Sequence, residues 1–132
     1  MTLITEAYRE QNAQLHQERE DYGRTAPRYF MEICNIAGQF ECQTILDYGA
    51  GKGMLGDEVG RHPEGPVIEY DPAIPHMSEA PTEPADMVVC IDVLEHIEPE
   101  CINDVMNHIL SLTAKCAFFT VSCREAKKSL QI

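Results

Sequence analysis

The stretch TILDYGAGKGMLGDE, residues 44 to 58, sets four glycines behind a short apolar run. Glycine inside a strand or helix costs roughly 0.5–1 kcal/mol relative to alanine. A cluster this dense therefore marks a tight turn or a close approach of backbone to a ligand. TILDY has the length of a short strand, and a helix is expected to begin near Met54. A strand, a glycine turn and a helix in that order is the unit of a parallel sheet. It also says where a ligand would sit, beyond the carboxyl end of the strand, where turn N–H groups and the helix N-terminus point.

The rest of the chain continues the pattern. After TILDY come MLGDEVG, VIEYD, ADMVVCID, CINDVMNHILSLT and CAFFTV, short apolar runs alternating with helical ones. That alternation predicts parallel strands with helices on their faces. Ile102, Val105, Met106, Ile109 and Leu110 form the best helical stripe, and Ala117 to Val121 reads as a central parallel strand, apolar on both faces. Before the glycine turn, residues 4–19 and 26–40 read as helices separated by the turn DYGRTAP. In the second of these, Phe30, Ile33, Cys34, Ala37 and Phe40 recur at helical spacing.

At 132 residues the chain is expected to form a single domain, residues 1–43 covering an α/β core of 44–132. A core of that size requires no disulfide or metal staple. None of the six cysteines forms a CxxC pair, and several stand in apolar runs where a reduced thiol packs as a small hydrophobe. The expected compartment is the reducing cytoplasm. No signal-peptide pattern opens the chain and no apolar run is long enough to span a bilayer, so no membrane partner is expected. A net charge of −12 repels phosphate backbones, which disfavours nucleic acid as a partner. The same acidity is accounted for by solubility and selects no substrate.

Three nucleotide motifs compete for the glycine turn. A Walker loop needs GxxxxGK followed by Ser or Thr, but Leu46 stands at the first glycine and Gly53 follows Lys52. The dinucleotide pattern GxGxxG is present as Gly51, Gly53 and Gly56, yet its first glycine comes too late after the strand. Counted from the strand end, the sequence is DYGAGKG, Asp47 followed by Gly49, Gly51 and Gly53. That pattern resembles motif I of the class I S-adenosylmethionine-dependent methyltransferases. VIEYDPA, which puts Asp71 about 20 residues past the turn, and ADMVVCIDVLEHIEP, similar to the family's fourth strand and following turn, agree with it in the right order.

The resemblance implies an α/β fold, a Rossmann-like mostly parallel sheet with helices on both faces, in the spatial order second, first, fourth, fifth strand by the family's count. It implies that Asp47 orients the glycine turn, that Gly49, Ala50, Gly51 and Gly53 let backbone pass close to S-adenosylmethionine, and that Asp71, beside Pro72, accepts from both ribose hydroxyls. Cys90 to Leu94, with Asp92 and Leu94 as contacts, would wall the pocket. His96 would be a general base or substrate ligand. Plainer roles stand beside these: Asp47 caps the turn, Gly53 eases helix packing, Asp92 and Glu95 suit a helix N-terminus, and His96 is structural. Tyr22, in the turn between the first two helices, would stack on the ligand, the N-terminal segment serving as a lid or simply as cover for the sheet.

Two departures from the family shape the expectation. Only PAIPHMSEAPTEPA stands between Asp71 and Asp86, too short and proline-rich for a third strand with its helices. The family's adenine-binding carboxylate then has no counterpart except Glu79 or Glu83. The sequence given runs only to REAKKSLQI after CAFFTV, so a minimal version lacking the terminal antiparallel strands is expected, with CAFFTVSC as an edge. An apolar edge is an aggregation hazard, and a homodimer through that strand is the expected cover. The activity implied is methyl transfer from S-adenosylmethionine, with S-adenosylhomocysteine as product, to a small-molecule acceptor; the alternative is a non-catalytic cofactor-binding or interaction protein.

Overall fold

Ile45 to Tyr48 are buried at four consecutive positions, as a strand requires when it is paired on both edges and covered on both faces. This is β1 of a computed structural model that describes residues 3–6, 9, 29–51 and 67–123. The other described strands are β2 (Val67–Tyr70), β3 (Ala85–Ile91) and β4 (Thr113–Thr120), and the α-helices are α1 (Phe30–Gln39) and α2 (Ile102–Ser111). The sheet runs β2-β1-β3-β4. All three pairings are parallel, Asp47 standing opposite Glu69 on one side and Val89 on the other. This is the strand order the resemblance implied, a minimal Rossmann-like α/β fold. No helix among the described residues is long and apolar enough to cross a membrane.

Side chains alternate across a strand, so β1 serves two cores. Ile45 joins Met87 and Val89 beneath Ile33 and Ala37 of α1. Leu46 joins Val88 and Cys90 beneath Val105 and Ile109 of α2. Each fully buried Ile or Leu contributes roughly 1.5–3 kcal/mol by leaving water. On the α2 side the Tyr48 hydroxyl lies 2.8 Å from His108 Nδ1, and Tyr48, Tyr70 and His108 meet edge to face. Burial lowers the His108 pKa and raises that of the Tyr48 phenol.

The helix expected over 26–40 is α-helical from Phe30 and ends at Gln39, leaving Phe40 exposed at 49%. The cause is a helix stop of the Schellman kind without its usual glycine. Cys42 N–H donates to the Ala37 carbonyl (2.8 Å), Glu41 N–H to that of Gly38 (3.2 Å), and Glu41 takes φ +54°. Cys42 is thereby folded back into the core while Phe40 is turned out. Leu110 likewise leaves the α2 stripe, 64% exposed beside buried Val105 and Ile109. Among the described residues β4 pairs on one side only. It is the last strand of the described sheet, its residues alternate between half-buried and exposed, and Phe119 is 37% exposed.

Between Asp71 and β3 the chain forms a single 3-10 turn, Pro75–Met77, and no strand, as the proline-rich stretch predicts. Most of the helix expected over 4–19 and the helix expected after Met54 lie outside the described residues. The first turn of the former is present, Arg9 N–H donating to the Thr5 carbonyl at 2.9 Å.

Candidate functional site

The residues singled out in the sequence gather at the carboxyl edge of the sheet. Asp47, Gly49, Ala50 and Gly51 end β1, Asp71 and Pro72 follow β2, and Asp92, Leu94 and His96 follow β3. Tyr22 and Gly53 lie outside the described residues. Glu79 and Glu83 are on the exposed connection from β2 to β3.

The glycine turn needs its glycines for backbone reasons. Gly49 and Gly51 take φ of +82° and +60°, the left-handed region that side chains disfavour. In this conformation the N–H groups of Gly49 and Ala50 both donate to the Tyr70 carbonyl, at 2.7 and 3.1 Å. Gly51 N–H donates to Asp71 Oδ2 at 3.1 Å. A Cβ on Gly49 would stand 2.5 Å from Val93 Cγ2, so the close approach at this glycine is to the residue just past β3. Val93 belongs to the expected Cys90–Leu94 wall, and the structure adds that it packs on the turn itself.

Asp71 holds the turn from the neighbouring strand. Its Oδ1 accepts from Ala73 N–H at 2.9 Å, and it is buried. Each carboxylate oxygen retains a second lone pair, so two adjacent hydroxyls can still be accepted. The contact expected of Asp47, orienting the turn, is made here by Asp71.

Asp47, near the end of β1, is one of the two buried acidic residues among those described. It is 3% exposed and its Oδ2 has no hydrogen-bond partner. Burial first, then the charges of Glu69 and Asp71, push its carboxyl up to about 7. An ionised carboxylate is not stable in such a place without a cation or donors.

Past β3, Glu95 stands in the 3-10 turn Leu94–His96, and Asp92 before it ties two strand ends. Asp92 takes φ +51°. Its N–H is shared between the carbonyl and Oγ1 of Thr120, both at 3.0 Å, and the Thr120 hydroxyl donates back to Asp92 Oδ1 at 2.9 Å. Glu95 Oε2 accepts from Ser122 N–H at 2.9 Å, while its Oε1 is buried and unpartnered. His96 sits in the 3-10 turn Leu94–His96, with Nδ1 buried and unpartnered. Thr120 was missed in the sequence. It ends β4 beside the end of β3, and only the strand register reveals that proximity.

Residue 5 reaches the same edge. Thr5 donates through N–H and Oγ1 to the two oxygens of Glu98, at 3.0 and 2.8 Å, and Leu3 packs on the α2-side core.

The donor set suits a particular group. Asp71 is placed for a vicinal diol, the unpartnered Asp47 for a cationic amine, and the left-handed turn for close backbone contact. The residues present therefore fit an S-adenosyl compound. A search of curated proteins finds no match to this chain. A family model described as a methyltransferase domain matches residues 8–130. With that match across almost the full sequence, and a parallel sheet in the order its motifs imply, the chain belongs to the class I S-adenosylmethionine-dependent methyltransferases.

Proposed function

We propose that the chain binds S-adenosylmethionine at the carboxyl edge of the sheet and passes its methyl group to a small-molecule acceptor. The observation that carries this reading is the buried, unpartnered Oδ2 of Asp47 beside the glycine turn and Asp71. A turn bordered by Asp47, Glu69 and Asp71 disfavours the phosphates of a dinucleotide and favours a phosphate-free, cationic nucleoside. When bound, S-adenosylmethionine supplies an already activated methyl on a sulfonium.

The chain's own residues then have positioning roles. Asp71 accepts the ribose hydroxyls, Asp47 faces the amino group, and Gly49, Ala50, Gly51 and Gly53 give backbone access. Pro72, Asp92 and Leu94 wall the pocket, and Tyr22 stacks on the ligand. The Thr5–Glu98 contacts support a segment that lies against this edge. His96 Nδ1 receives the acceptor's proton, a contribution of typically 10²–10⁴-fold for a positioned base. Orientation and exclusion of water account for the rest.

Calorimetry tests the binding. S-adenosylhomocysteine and S-adenosylmethionine should bind in preference to NAD, and Gly51→Val should abolish binding. Equal affinity for NAD, or indifference to Gly51→Val, would overturn the assignment. The second reading, a non-catalytic binder, is favoured by one observation: no strand with a terminal carboxylate lies between Asp71 and β3 to hold the adenine amine. Turnover across a panel of hydroxyl, amine and carbon acceptors separates the two. The proposed homodimer rests on β4, whose outer edge carries exposed Ala117 and Phe119. Light scattering at micromolar concentration should give twice the chain mass.

A further inference from the structure

Cys42 and Cys116 are 74 residues apart in sequence, yet their Sγ atoms lie 3.8 Å apart. They meet at the amino end of the sheet, away from the glycine turn. Both positions are fixed by contacts independent of the sulfurs. Cys42 is held by the helix stop after α1, through its N–H to the Ala37 carbonyl. Cys116 sits on β4 in register with Met87. The residue before it, Lys115, donates through Nζ to the Phe40 and Glu41 carbonyls, at 3.3 and 2.8 Å, which ties β4 to the loop that carries Cys42. The pair therefore needs little rearrangement to close an S–S bond of about 2.05 Å.

We propose that Cys42 and Cys116 form a redox site, an intramolecular disulfide that closes under peroxide and reopens with thiol, stapling the α1–β1 loop to the edge strand. Cys116 is half-buried and Cys42 is buried, which sets the order of events. The Cys116 thiolate attacks hydrogen peroxide, the O–O bond breaks, and a sulfenic acid and hydroxide form. The Cys42 sulfur then displaces the sulfenic oxygen: an S–S bond forms, the S–O bond breaks, and the two thiol protons end in water. Burial and the neighbouring sulfur push the Cys42 thiol up to about 11, which makes it a slow first target beside the more exposed Cys116. The staple spans the amino ends of the strands, so ligand binding at the carboxyl edge should be unaffected.

The test uses the full chain with Cys123→Ser, which removes an exposed thiol that would otherwise cross-link copies. After peroxide, alkylation under denaturing conditions should find two fewer free thiols than in the reduced sample. Peptide mass spectrometry should show residues 42 and 116 joined, with the loss of two hydrogens and restoration by dithiothreitol. The oxidised form should melt at a higher temperature. Cys42→Ala and Cys116→Ala should each abolish the linked peptide; after peroxide, Cys116 should carry a sulfenic acid in Cys42→Ala, while Cys42 should still be alkylated in Cys116→Ala. A folded protein in which both sulfurs remain free after peroxide, or in which either joins a different cysteine, would overturn the proposal.

Discussion

The two ends of the sheet treat polar groups in opposite ways. At the amino end, Asp86 Oδ2 accepts from Gln43 N–H at 2.7 Å, Asp86 N–H donates to Thr44 Oγ1 at 2.8 Å, and Lys115 caps two carbonyls of the loop after α1. At the carboxyl end, Asp47, Glu95 and His96 each keep a buried polar atom unpartnered. Left-handed backbone occurs at both ends. At the amino end Glu41 is compensated by a helix stop; at the carboxyl end Gly49 and Gly51 follow β1 and Asp92 follows β3. Buried polar atoms are ordinarily hydrogen-bonded, and among the described residues the amino end leaves none unpartnered. Among the described residues the exceptions collect at the carboxyl end, around the glycine turn and the end of β3.

The sharpest way to break this contrast is Gly49→Ala. Left-handed strain of about 1–3 kcal/mol adds to an overpacking cost of about 1–3 kcal/mol against Val93. Chemical denaturation should show a loss of roughly 2–6 kcal/mol. Adding Val93→Ala should recover the steric share and leave the backbone share. If Gly49→Ala is neutral, the turn is not constrained as described.

Asp71→Ala comes next. It strips the acceptors from two buried N–H groups, those of Gly51 and Ala73, at about 1–3 kcal/mol each. Unfolding should show a loss of about 2–6 kcal/mol, and S-adenosylhomocysteine affinity should fall with it. A stability loss with affinity unchanged would place the ligand elsewhere.

Asp47→Asn should act in the opposite direction. The Asp47 pKa of about 7 in the fold lies above the ordinary 3.8, so the folded chain holds a proton that the unfolded chain has released. Stability from this group is therefore fullest below about pH 4 and is lost as pH rises towards 7. The full penalty is on the order of 4 kcal/mol. An amide without partners recovers only part of it, so the variant should gain about 1–3 kcal/mol at pH 8. Its stability should depend less on pH between 4 and 7, and its ligand affinity should drop. A variant less stable than the parent at pH 8 would show that Asp47 is paired in solution.

Tyr48→Phe gives the smallest effect. It removes the hydroxyl beside His108, on the α2 face, and should cost about 0.5–1.5 kcal/mol without altering ligand affinity. An affinity change would extend the site to the α2 face of the sheet.

Much of this architecture was legible in the residues. The strand runs are short and apolar, and the family resemblance carried by DYGAGKG, VIEYD and ADMVVCID implied the strand order that the sheet shows. The proline-rich PAIPHMSEAPTEPA announced the missing strand. Local pattern failed where a residue's environment was set by distant chain. Phe40 matches the stripe of α1 but falls beyond a stop that Glu41 makes in a glycine's place. CAFFTV has central-strand composition, yet a strand's composition does not say how many neighbours it has, and β4 pairs on one side in the described sheet.

The candidate site divides along the same line. Sequence alone placed Asp47, Gly49, Gly51 and Asp71 at two strand ends, because a turn motif and a strand period are local properties. Which of the two aspartates holds the turn and which is left bare was decided by tertiary structure. The Gly51 N–H lies across a strand boundary from its acceptor, and burial of Asp47 depends on every element around it. The same holds for Thr120 with Asp92 and for Cys42 with Cys116: their partners are 28 and 74 residues away. Hydrogen bonds and thiol contacts act over a few ångströms of space, and only the folded register of parallel strands brings such distant positions within that range.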